Sequence, residues 1–180
     1  MSDCNRQVRI QEADFDAGAE LAALYHRCRG DLGAVATFIG LVRDRFQDAP
    51  VEALHLEHYP GMTEKSIHGI VDQAAGRWPL LDVLVIHRVG ELAGREQVVY
   101  VQVASSHREA AFSTVRFIMD YLKTDAVFWK REVQPGRIRW VESTAADRAS
   151  RAAWEDGAAD REGSAADRED AAVDRGDSAD

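Results

Sequence analysis

The sequence is poor in cysteine and lysine and holds no long apolar stretch, and each shortage narrows what the chain can be. Among 180 residues only Cys4 and Cys28 are thiols. Two thiols without a CxxC pair or a cysteine–histidine grouping supply neither a disulfide framework nor a zinc site. No run approaches the ~18 consecutive apolar residues that a membrane-spanning helix needs. The first 25 residues carry Asp3, Glu12, Asp14, Asp16 and Glu20 and lack an apolar core, which argues against a secretory signal. With a net charge of −9, a basic nucleic-acid footprint is missing as well. A cytoplasmic enzyme or binding protein remains, with neither nucleic acid nor membrane as an expected partner.

Lysine is the informative scarcity. Of 22 lysines and arginines only Lys65, Lys123 and Lys130 are lysines, so two of them seven residues apart carry weight. The negative charge is also uneven. Residues 145–180 hold 11 acidic and 5 basic side chains, so most of the excess lies there and says little about the rest. That stretch repeats AADR at 145, 158 and 165, with AVDR at 172, and Trp154 and Val173 are its only large apolar residues. Such a segment buries too little surface to offset its ordering entropy. Residues 145–180 are expected to be a disordered acidic tail, with at most a transient helix near 145–154, and residues 1–144 the folded domain.

Within 1–144, hydrophobic periodicity gives alternating short strands and amphipathic helices. QVRI (7–10) reads as a strand. Leu21, Leu24, Tyr25 and Cys28 fall on one face of a helix over 16–29, with Gly30 as its C′ residue. GAVATFIGLVRD (33–44) is a buried strand followed by a charged turn, and VEALHLEHY (51–59) alternates with period two. A helix with Ile67, Ile70, Val71 and Ala74 on one side runs to Gly76. LDVLVIHRV (81–89) and EQVVYVQVAS (96–105) are two strong strands joined by a turn containing Gly90 and Gly94. Ser106 and Glu109 have the spacing of a capping box. It opens a helix to about Lys123, with Ala111, Val115, Ile118 and Leu122 inward. FWKREV and RIRWVE around QPG form a closing hairpin. Without a regular βαβ rhythm, the fold class is α+β with mainly antiparallel pairing.

Three places carry possible chemistry. His107 and Arg108 stand in the first turn of a helix, where unpaired N–H groups attract anions. They are a phosphate site or simply solvated. Lys123, Lys130 and Arg131 lie among Phe117, Met119, Tyr121, Phe128 and Trp129. A lysine held against an apolar wall beside another cation has a depressed pKa and serves as nucleophile or acid/base near neutrality. The alternative is a pair of ordinary surface lysines. Arg43 follows a buried strand and either reaches a cleft or caps a turn. HLEH (55–58) is no metal pair, because His55 and His58 point to opposite faces of a strand. Cys28 is a small core residue, and Ser105 and Ser106 are capping groups.

GAVATFIGLVRD, LEHYPGMTEKSI (56–67), VIHRVGEL (85–92), VASSHREAAF (103–112) and MDYLKTDAVFWKRE (119–132), in this order, resemble the large, catalytic subunit of molybdopterin synthase. The match spans about residues 5–142. The resemblance implies an α/β hammerhead-like domain with an additional antiparallel β subdomain. It implies a sulfurtransferase that converts cyclic pyranopterin monophosphate to molybdopterin. The sulfur would come from the C-terminal Gly-Gly thiocarboxylate of a small ubiquitin-like carrier subunit, supplied in trans. It further implies a homodimer of large subunits within a heterotetramer, and neither metal nor cofactor. By their match to the family motifs, Lys123 and Lys130 are the catalytic candidates. Leu41, Val42, Arg43, His107 and Arg108 are the substrate-binding candidates, with Arg131 and Glu132 at the rim. Members usually carry lysine where Leu41 stands, so only a backbone role is expected there.

From His107 to Lys123 is 16 residues, about 24 Å along a helix, too far for both to line one small-molecule pocket. Each pocket is therefore expected to take Lys123 and Lys130 from one subunit and His107 and Arg108 from its mate. The rival reading is a non-catalytic module that binds a ubiquitin-like protein or a phosphorylated ligand.

Overall fold

Aliphatic and β-branched residues dominate the middle of the chain, and they pair into two sheets. The computed structural model describes residues 4–28, 31–46, 49–50, 53–126, 128–134 and 137–157. In chain order these form β1 (Asn5–Gln11), α1 (Ala17–Arg27), β2 (Ala34–Leu41), β3 (Arg45–Phe46), β4 (Ala49–Pro50), β5 (Ala53–His58), α2 (Met62–Arg77), β6 (Leu80–Arg88), β7 (Gly90–Ala93), β8 (Gln97–Ser105), α3 (Arg108–Thr124), β9 (Phe128–Gln134), β10 (Arg137–Val141) and α4 (Ala145–Glu155). One sheet has the order β1-β6-β8-β2, the other β10-β9-β5-β7, and β3 pairs with β4. Among the described strands only β1 and β6 run parallel; the other pairs among them are antiparallel. The α+β class expected from the sequence is what the chain adopts.

β6 and β8 sit in the middle of the first sheet, and both of its faces are covered. On one face Val83, Val85, Val101 and Val103 pack with Ile67, Ile70, Phe117 and Ile118 of α2 and α3. On the other, Leu84, Ile86 and Tyr100 pack with Phe15. That double burial explains why LDVLVIHRV reads as a continuous apolar run rather than an alternating one. α1 is fastened by charge more than by its apolar face: Arg9 meets Glu20 at 2.6 Å and Arg27 meets the buried Asp82 at 3.0 Å. Its Leu24 is buried as the periodicity demands, but Tyr25 is exposed, and the helix ends before Cys28. Gly30 lies outside the described residues.

Several local expectations shift. The link expected between β6 and β8 contains a strand of its own, β7, which leaves the first sheet to pair with β5 in the second. α3 begins at Arg108 with His107 as N-cap and no side-chain cap, so the Ser106–Glu109 capping box does not form. Competing bonds explain this. The Ser105 hydroxyl accepts from the His107 N–H at 3.3 Å and donates to the Pro79 carbonyl at 2.8 Å. Glu109 instead accepts from the Ser113 hydroxyl at 3.0 Å. The inward face of α3 also turns, taking in Phe117 and Tyr121 while Val115 is only partly buried. Gly33 is required beside this junction, because a Cβ there would stand 2.1 Å from the Ser106 carbonyl oxygen.

The largest departure is at the C-terminal side. The stretch expected to be disordered from 145 begins with α4, an ordered helix packed on α3. Thr144 and Asp147 form its capping box, a T-x-x-D spacing hidden by the alanine-rich composition that follows. Trp154 is 2% exposed and packs edge-on against Trp78 and Phe117, and its indole N–H donates to Asp120 at 2.8 Å. One large aromatic and a good cap outweigh the polar composition. The remainder, 158–180, lies outside the described residues. Replacing a buried tryptophan of this kind by alanine costs ~3–5 kcal/mol. Trp154→Ala should therefore lower the urea unfolding midpoint substantially, whereas a dispensable tail would leave it unchanged.

Candidate active site

The second sheet, the end of α3 and the start of α4 enclose a cavity of about 840 Å³, within the usual range for small-molecule sites. Each wall has a structural reason. At Gly40 the pairing of β2 with β8 slips, and a bulge of this kind re-aims the residues after it. A Cβ at Gly40 would stand 2.6 Å from Val99, so glycine lets the strands approach there. Beyond the bulge Leu41, Val42 and Arg43 turn to line the cavity. Val42 is buried with Leu56 and Leu92, while Leu41 and Arg43 are exposed. The last turn of α3 contributes Leu122 and Lys123, and β9 contributes Phe128, Trp129, Lys130 and Glu132. Trp140, Glu142, Thr144 and Asp147 close the far side.

Strand periodicity sorts the residues of β9. Lys130 stands between Leu56 of β5 and Val141 of β10. Its neighbour Arg131 points to the other face, 3.4 Å from Glu57, and does not line the cavity. The pKa of Lys130 is lowered from the usual lysine value. Removal from water is the main cause and the charge of Lys123 a lesser one, opposed by Asp147. Lys123, about half exposed, lies 3.4 Å from an Asp147 oxygen. Asp147 itself is held below the ordinary carboxylate range: the Thr144 cap and Lys123 lower it against the opposing pull of burial. One Glu132 oxygen is buried without a hydrogen-bond partner.

His87, a residue the sequence reading passed over, supports the cavity from beneath. Its ring stacks on Phe128 with centroids 4.0 Å apart. Burial, helped by the nearby Lys130 charge, pushes its pKa down to about 3. A neutral ring 2.8 Å from the Arg88 carbonyl through Nδ1 must donate there, which leaves Nε2 as an acceptor.

Of the expected site residues, the fold brings together Leu41, Val42, Arg43, Lys123, Lys130 and Glu132. It leaves out Arg131, and it leaves out His107 and Arg108, which sit at the opposite end of α3. Both are exposed. Within the cavity Arg43, Lys123 and Lys130 face Glu132, Glu142 and Asp147, so one chain provides as many carboxylates as cations. Among the described residues no group of three or more histidine, cysteine, aspartate or glutamate side chains is arranged to hold a metal ion, and no helix is long and apolar enough to cross a membrane. His55 pairs with Glu57 at 3.1 Å on its own face of β5. Asp147 and Thr144 were missed because the composition of 145–180 masked a T-x-x-D cap.

The sign of the His87 effect on stability follows from its lowered pKa. Between pH ~6.5 and 3 the unfolded chain binds a proton that the folded chain refuses, so acidification favours unfolding. His87→Gln should therefore lose roughly 2 kcal/mol less stability than the parent between pH 7 and 4.5, measured by urea unfolding.

Comparison with known proteins agrees with this architecture. The family model described as MoaE protein matches residues 10–125. A curated relative from Ralstonia nicotianae, a molybdopterin synthase catalytic subunit, is 54% identical over 147 residues, covering 82% of this chain and 83% of that protein. The solved structure of the molybdopterin biosynthesis MoaE protein from Burkholderia ambifaria is 48% identical, with a TM-score of 0.71 over 83% of this chain and 98% of its own. A molybdopterin synthase from Staphylococcus aureus, 25% identical, gives a TM-score of 0.66 over 74% of this chain and 95% of its own. These matches remove the non-catalytic rival. The chain belongs to the MoaE family of molybdopterin synthase catalytic subunits, enzymes of molybdenum cofactor biosynthesis.

Proposed function

We propose that the cavity joins two anions, the cyclic phosphate of a pyranopterin and the C-terminal thiocarboxylate of a small ubiquitin-like carrier, and transfers sulfur from one to the other. The reaction inserts two sulfurs into cyclic pyranopterin monophosphate to form the dithiolene of molybdopterin, in the cytoplasm. The observation that carries the reading is the pair of lysines in one cavity, one of them with its pKa depressed by burial. An amine with a lowered pKa gives up its proton more readily to a reacting group, and general acid–base work of this kind is worth typically ~10²–10⁴ in rate. Lys130, the buried one, suits the proton-exchanging or acyl-holding role. Lys123, at the mouth, suits contact with the carboxyl terminus of the carrier.

Charge supports a shared site. Three cations against three carboxylates leave a single chain's cavity without the surplus that two anionic reactants require. His107 and Arg108 supply it if a second copy places the beginning of its α3 at the mouth. Arg108 offers a planar two-pronged donor for phosphate and His107 a titratable one. Each active site is then composite, within a dimer that binds one carrier at each end. Leu41 contributes only its backbone, and Arg131 acts through Glu57 on the outer face.

The decisive assay mixes the purified chain with thiocarboxylated carrier and cyclic pyranopterin monophosphate and measures molybdopterin. Lys123→Ala and Lys130→Ala should each lower turnover by at least ~10²-fold. Lys123→Ala and Arg108→Ala chains, each inactive alone, should regain activity when combined as mixed dimers. No regain, with mixed dimers shown to form, would contradict the shared site.

A further inference from the structure

Asp147 has no part in the proposed sulfur transfer, yet it stands in the cavity wall with its two oxygens committed to different tasks. One, Oδ2, accepts from the Thr144 N–H at 3.0 Å and from the Thr144 hydroxyl at 2.7 Å. The Thr144 hydroxyl oxygen in turn accepts from the Asp147 N–H at 3.1 Å. The other, Oδ1, is 3.4 Å from the Lys123 ammonium. The carboxylate is thus fixed in the first turn of α4, where the partial positive charge of the helix end favours it, and it presents its free side to the lysine.

The helix that carries it is anchored independently of the site. Arg151 meets Asp125 at 2.9 Å and lies over the Tyr121 ring. Trp154 reaches Asp120, and Arg77 donates to the Trp154 carbonyl at 3.3 Å. Three of these contacts fall on Asp120, Tyr121 and Asp125, which bracket Lys123 in sequence. α4 therefore clasps the turn that bears the lysine, and the carboxylate closes the clasp.

We propose that Asp147 is a positioning residue that holds the Lys123 ammonium at the cavity mouth, beside Lys130, until an anionic reactant takes its place. The inference rests on the reading of Lys123 as a reacting amine. A half-exposed lysine with four rotatable bonds samples bulk solvent unless something holds it. A fixed counter-charge restricts it to the geometry in which it is used, and misplacement of a reacting group by ~1 Å costs up to ~10²-fold in rate. The same negative charge opposes the entering anions, so Asp147 favours turnover and disfavours ground-state binding. The groups that face the two amines are Arg43 after β2, His87 on β6, Glu132 on β9, Glu142 after β10 and Asp147 on α4. Of the three carboxylates among them, only Asp147 is paired with Lys123.

Two measurements test this separately from the function. A zero-length carbodiimide should join Lys123 to Asp147 in the intact parent chain, read as a cross-linked peptide by mass spectrometry. With three lysines in the chain the assignment is unambiguous. In the assembled synthase, Asp147→Asn, which keeps an oxygen for the cap, should lower kcat about tenfold while KM for the anionic pterin falls. Asp147→Glu, which retains both the charge and the capping-box spacing, should recover most of the kcat. Absence of the cross-link, or an unchanged kcat in Asp147→Asn, would overturn the proposal. A fall in kcat with a raised KM and no recovery by Asp147→Glu would overturn it too. A parent synthase without activity would defeat the sulfur-transfer reading, and the cross-link would still decide whether Asp147 holds Lys123.

Discussion

Taking an ammonium group out of water is expensive, and the arrangement of this molecule turns on where that happens. Lys130 lies on a strand flanked on both sides, so its stem is enclosed by the sheet and its charge faces a cavity rather than bulk solvent. Burial lowers its pKa, and a second ammonium nearby lowers it further. Everything that shapes the cavity bears on this balance. The bulge at Gly40 brings in Arg43, the end of α3 brings in Lys123, and the cap of α4 brings in a carboxylate that moderates the repulsion.

The two sheets divide the labour. The first, covered on both faces, is a support whose two central strands carry ten valine, leucine and isoleucine residues among eighteen. The second presents Lys130 and Glu132 to the cavity from one face of β9, with an ion-paired outer face of Glu57 and Arg131 behind it. His87 marks the join, since it belongs to the first sheet by its strand and to the second by its stacking on Phe128. A neutral histidine there places no additional positive charge beside Lys130.

Most of the fold was legible in the sequence because its strands and helices are strongly periodic. Ile67, Ile70, Val71 and Ala74 lie inward as their spacing requires, and the closing hairpin pairs as written. The failures have local causes. Ser106 looked like an N-cap, but the helix starts one residue later, with His107 as its N-cap, and Glu109 bonds Ser113 instead. β7 was hidden in a glycine-containing link because four residues carry too short an alternation to read. α4 was discounted because averaging over 36 residues of alanine, aspartate and arginine concealed one capping box and one tryptophan. Of the candidate site, the sequence named Arg43, Lys123, Lys130 and Glu132, which converge on one cavity from three elements. It was not legible at Asp147, since nothing in one sequence says that a helix beyond the last strand folds back on α3.

The scarcity of lysine that first drew attention also makes the central claim directly measurable. With the side-chain nitrogens of Lys65, Lys123 and Lys130 labelled, each can be followed by NMR as pH rises, and Lys130→Arg assigns its signal. The account predicts that Lys130 loses its proton at a lower pH than the ~10.4 of an ordinary lysine. If Lys130 instead titrated together with the exposed Lys65 at that ordinary value, its ammonium would be fully hydrated, and the site described here would have no chemical basis.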